Sequence, residues 1–203
     1  MRQFTPNLGS AFVGDIAMSQ FHLLRVLPVV VLALGLFSQT SANAEPTAEE
    51  KQVAADYLRA VNEARSKLHD AGFTLGKVFG PLVREAKDID AAEAEAKYSD
   101  LKSVLVEMKK SVAGKQVPGG DSGAAIDKAW KAFAKVQTRV VEIEMAAIVA
   151  VLDDPNLDNE GKKGQILKLI DRIVAKEKKD SEALTEAQKV LQKDFGLAVD
   201  APK

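Results

Sequence analysis

The chain has 203 residues, 28 Lys and Arg against 29 Asp and Glu, and no cysteine. A net charge of −1 gives no electrostatic footprint for nucleic acid or for an anionic membrane surface. Absence of cysteine excludes disulfide stapling and covalent c-type haem and predicts no lipid-anchored N-terminus.

The first segment reads as an export signal. Arg25 precedes an apolar run, Val26–Phe37, and then the small, polar stretch Ser38–Ala44, with Ala42 and Ala44 in A-x-A positions. The run is shorter than the roughly 20 residues of a spanning helix, so residues 1–44 are expected to be a cleaved signal peptide rather than a retained anchor. Residues 1–17 are long for a basic leader and carry Asp15, which makes Met18 the better initiator. Residues 45–203 then form one helical-bundle domain, with 26 bases, 28 acids and a single histidine, His69.

Alanine, lysine, glutamate and leucine dominate the remainder, and no alternating apolar stretch suggests a strand. The first predicted helix opens on a capping box, Thr47 with Glu50 three residues on. Its apolar stripe is Tyr57, Val61, Ala64, Leu68, Leu75, Phe79, Leu82 and Ala86, at steps of three, four and seven. The second starts at Asp90, with Glu93 behind it, carries Tyr98, Leu101, Leu105, Met108 and Val112, and stops at Gly114. Lys115–Asp121, containing Pro118-Gly119-Gly120, is a loop. The third starts at Asp121 or Ser122, carries Ile126, Ala129, Trp130, Phe133, Val136, Val140, Ala147 and Val151, and ends at Asp154-Pro155. The fourth begins near Asp158, with Ile166, Ile170, Ile173, Val174, Leu184, Leu191 and Phe195 on its stripe and a polar stretch, Lys176–Ser181, between the groups. A frayed tail is expected from Gly196.

Four amphipathic helices on short loops predict an all-α, up-down-up-down four-helix bundle, the first and last helices long and the other two shorter. Antiparallel counting about each loop sets Ala64 level with the second loop, so the start of the first helix and the end of the last are expected to project as a two-helix extension.

Gly72, Gly76 and Gly80, followed by Pro81, are the most unusual local feature. Each glycine inside a helix costs ~1 kcal/mol against alanine. At about 100° per residue they lie roughly 40°, 80° and 120° from Leu68, along the edge of the stripe, with His69 and Phe73 as a rim. One reading is a close-packing strip for another backbone or a flat ligand. The preferred alternative is a broken helix, at Gly72 or at Gly80-Pro81, with the glycines in turns. Gln137 and Glu144 interrupt the third stripe, and Glu177 and Gln188 the fourth; pairing these helices about their loop sets Gln137 level with Glu177, near the level of Phe79 and Gly80. Gln137, Glu177 and Glu144 form either a buried polar layer that fixes register, the lining of a ligand cavity, or the solvent border of a wide stripe.

Cofactor chemistry finds little footing. A di-iron carboxylate bundle needs two Glu-x-x-His motifs, and this chain has one histidine after residue 44. A non-covalent haem would have to use His69 and Met108; neither sits in a specific motif. The acidic loop Asp153–Gly161 matches an EF-hand in neither register, and helix capping by Asp158 accounts for it. No nucleophile elbow, phosphate-binding glycine loop or zinc helix occurs. The carboxylates pair with lysines at helical spacing, as solvated faces do. The expectation is a non-enzymatic protein, exported to the periplasm or beyond the cell, with no metal, cofactor or catalytic residue. It would act through helix-mediated contact with a protein partner or a second copy; the alternative is a carrier of a small ligand between the helices near Gly76, Gly80, Gln137 and Glu177.

Overall fold

A computed structural model describes residues 45–198. The expected signal peptide, its Met18 start and the end of the tail lie outside those residues. The described residues are all helical, in four rods. The rods are α1 (Ala48–Glu85), α2 (Ala91–Ala113), a composite third rod, and α5 (Asn159–Asp194). The third rod joins α3 (Gly120–Arg139), a π-helical segment (Val140–Met145) and α4 (Ala146–Asp153) without a break. No described helix is long and apolar enough to cross a membrane.

The predicted starts are built from their caps. Thr47 and Glu50 form the reciprocal capping box of α1. Asp90 accepts from the amides of Ala92 and Glu93, and Asp158 accepts from Gly161 N at 2.8 Å to open α5. In the loop before it, Asp154 accepts from Asn156 N at 2.8 Å. Each bond satisfies a first-turn or turn donor that would otherwise be orphaned. α3 begins slightly earlier than expected, at Gly120, with Gly119 in the cap position and no side-chain cap.

The expected break in the first helix does not occur: α1 runs unbroken through Gly72, Gly76, Gly80 and Pro81. Three glycines and an interior proline cost about 6 kcal/mol in intrinsic propensity. Leu75, Phe79, Leu82 and Val83 are buried along the same stretch, and at roughly 2 kcal/mol each their burial more than offsets that cost. Tertiary packing, not propensity, carries the helix across this segment. Ala86, expected on the stripe, instead caps α1 in the left-handed region at φ 51°.

The two-helix extension is also absent. Tyr57 Oη donates to Asp127 Oδ1 at 3.3 Å, and the Arg65 guanidinium lies 5.6 Å from the Phe133 ring centre. α3 begins seven residues before Asp127, so it accompanies the start of α1. Ala54, Tyr57, Leu58, Leu184 and Leu191 are buried there. The loop count assumed that α3 starts where α2 ends, whereas the Gly114–Gly119 segment carries the chain further along before α3 begins.

A third difference lies in the composite rod. The stripe predicts Ala147 and Val151 inside; both are half-buried against the core, while the fully buried residues of the rod after Val140 are Val141, Glu144, Ile148, Val149 and Leu152. A π turn contains one extra residue, and this insertion moves the buried face on by one position. Tyr98 Oη donates to Val141 O inside the π segment at 3.1 Å, which satisfies a carbonyl there.

α2 packs chiefly on α1, and α3 chiefly on α5. Asn159 Nδ2 donates to Asp88 Oδ1 and Gln188 Nε2 to Asn62 Oδ1. These contacts set the levels of α1 against α5 and place Gly76 opposite the region of Val174.

Candidate functional site

The α1 strip is open at Gly72. A Cβ added at Gly72 would meet nothing within 4 Å, and the nearest atoms to one at Gly80 belong to the movable end of Arg84, at 3.1 Å. All three glycines are half-buried. No neighbouring helix fills the space beside Gly72, so packing within the chain does not explain that residue. The rim is built as the spacing suggests. The His69 and Phe73 rings are stacked, 6.3 Å apart and 7° from parallel, and Lys77 Nζ lies 4.5 Å from the Phe73 ring centre. Phe73 nevertheless remains 42 % exposed.

The strip faces α5. Asn62 and Arg65 fall roughly 120° and 60° round α1 from Leu68, the sector that holds the glycines, and both are tied to α5. Arg65 Nη1 donates to Gln188 Oε1 at 3.0 Å, and Gln188 Nε2 to Asn62 Oδ1 at 2.8 Å. Burial pushes the Arg65 guanidinium below its usual range. At this level the seam between α1 and α5 is bridged; two to three turns along, at Gly72, it is open. The Arg65–Gln188 bridge is absent from the sequence expectations. Its signal was available: Arg65 stands three residues before Leu68, at the stripe edge.

The polar residues separate into two groups. Gln137 and Glu144 are buried, while Glu177 is half-buried. Burial pushes the Glu177 carboxyl up; a hydrogen bond from the Gln137 side chain and the charge of His69, when protonated, pull it back down. Gln137, Glu177 and His69 thus converge from α3, α5 and α1 beside the strip. Glu144 belongs elsewhere, in the π segment. It pairs with Lys176 and lies 3.7 Å from Arg172. The Lys176 hydrogen bond, with Arg172 and Arg139 further out, holds its carboxyl below the usual range despite the opposing effect of desolvation. Its cationic partners stay in contact with solvent: Lys176 and Arg172 are 36 % and 61 % exposed. Among the described residues no buried side-chain nitrogen or oxygen lacks a partner.

His69 and Met108 are not brought to one site. Met108 is buried and faces a cleft with Ala60, Ala64 and Lys67, and His69 does not line that cleft. In the acidic loop, Asp154 and Asp158 are engaged by backbone amides and Asn159 by Asp88. Among the described residues no cluster of three His, Asp or Glu has metal-binding geometry. No protein-family model, curated protein or solved structure matches this chain, so its functional reading rests on this geometry.

Proposed function

We propose that this chain is an exported, non-enzymatic bundle of up-down-up-down connectivity that receives a partner helix in the seam beside Gly72, Gly76 and Gly80. The observation that carries the reading is the unfilled space at Gly72 next to the exposed Phe73 ring. Helices whose interfaces bear small residues approach closely, and an aromatic rim supplies an anchor. The alternative, a small ligand between the helices near Gly76, Gly80, Gln137 and Glu177, has less support. Among the described residues no buried side-chain nitrogen or oxygen lacks a partner, so no buried polar group there calls for a ligand.

The test is a photo-crosslinking residue placed at Phe73 and, as a control, at the exposed Val106 of α2, in cells that make the protein. Docking at the strip predicts a discrete product from position 73 and none of that size from position 106. Equal yields from both positions, or none from 73, would defeat the proposal.

A further inference from the structure

A second surface lies between α2 and α3, where each helix leans on a different neighbour and the two diverge. The result is a cleft of about 430 Å³, within the usual range of small-molecule sites. Its floor is apolar: Tyr57, Val112, Trp130 and Ala134, all buried. Val117 stands at its edge, 41 % exposed. The segment bearing Val117 is pinned, because a Cβ at Gly123 would lie 1.9 Å from Pro118 O; glycine alone lets the loop pass this close to α3.

Four lysines, Lys109, Lys115, Lys131 and Lys135, line the same cleft with a single acid, Asp127. That is a local charge of +3 on a chain whose net charge is −1. Asp127 is engaged by Lys131 at 2.6 Å and accepts from Tyr57. Lys109 reaches only the Thr138 hydroxyl, at 3.4 Å, and Lys109, Lys115 and Lys135 form no ion pair among the described residues. An apolar floor under unpaired cations complements a molecule with an apolar body and an anionic end.

We propose that the α2–α3 cleft over Trp130 binds a free amphipathic carboxylate of fatty-acid type, its chain on Trp130 and Val117 and its carboxylate among Lys109 and Lys135. A partner helix suits the cleft less well. α2 contributes only from Lys109 to Ala113, little more than one turn, and the loop at Lys115 and Val117 closes that end. The site is separate from the strip on α1 and stands or falls without it.

Trp130 is the chain's single tryptophan and therefore reports on this cleft alone. The protein, as its own cell processes it, would be titrated with sodium decanoate below its micelle concentration while tryptophan emission is followed. A saturable change is expected. The Lys109→Glu/Lys135→Glu variant, with its helical circular dichroism and melting temperature unchanged, should bind at least tenfold more weakly. Decanol should also bind at least tenfold more weakly than decanoate. No saturable change would overturn the proposal, as would equal binding of decanol, an unaffected double variant, or a response only to vesicles of anionic phospholipid.

Discussion

Gly123 and Gly72 are both helical glycines, and the fold treats them in opposite ways. At Gly123 the place of the missing Cβ is taken by the Pro118 carbonyl at 1.9 Å; at Gly72 the same place holds nothing within 4 Å. The first glycine is required by the chain's own packing, since it lets the Gly114–Gly119 segment lie against α3. The second weakens a helix that has no need of it. A costly residue with no role inside the fold directs attention outside it, and this contrast is the basis for reading α1 as a docking surface.

The contrast breaks most readily at Gly123. Gly123→Ala should destabilise the protein by about 3 kcal/mol, the upper range for overpacking, read as a fall in the denaturation midpoint. A loss below about 0.5 kcal/mol would mean that the Pro118 segment yields freely. Glu144→Gln comes next. Removing the charge leaves Lys176 and Arg172 without their partner, and because both cations are more than a third exposed the cost is about 1 kcal/mol at pH 7. The carboxyl's folded pKa is lowered from 4.5. Its contribution is therefore complete above about pH 4.5 and is lost as the pH falls through the folded value. The variant should match the parent in strong acid. Gly72→Ala should stabilise by up to about 1 kcal/mol, since helix propensity improves and nothing is met; a loss would show that the strip is packed from within.

The smallest effect belongs to Glu177 and has the opposite sign to that of Glu144. Its folded pKa is raised by burial, so its contribution is complete below the unfolded value and is lost as the pH rises through the folded one. Glu177→Gln should be slightly more stable than the parent at pH 7, with the gain vanishing in acid. Urea titrations at pH 7 and pH 3.5 separate the two carboxylates.

Much of the bundle was legible from local chemistry. Thr47–Glu50, Asp90 and Asp158 cap as their types predict, and steps of three and four found Leu68, Leu105, Ile126 and Ile166 inside. What was illegible required a neighbour or a register. Nothing in the glycines or Pro81 tells that burial of Leu75, Phe79 and Leu82 outweighs their propensity. The π turn leaves no mark in the stripe before Val140, so the stripe names Ala147 and Val151, which border the buried face, and misses Ile148 and Leu152 at its centre. Gly123 is indistinguishable in sequence from any first-turn glycine until Pro118 is seen against it. For the candidate site, the sequence names the residues of the strip and of the polar stripes and sets Gln137 level with Glu177, near Gly80, but does not bring His69 to them or part Glu144 from them. His69 and Glu177 come together only through the pairing of α1 with α5, while Glu144 is held apart in the π segment.

The most direct test of the docking reading is Gly72→Leu, examined both for thermal stability and for crosslinking from position 73 in the cell. If the space at Gly72 is kept for a partner, the variant melts at or above the parent temperature and the crosslinked product disappears. A variant that melts well below the parent, or one that crosslinks as before, would contradict the account.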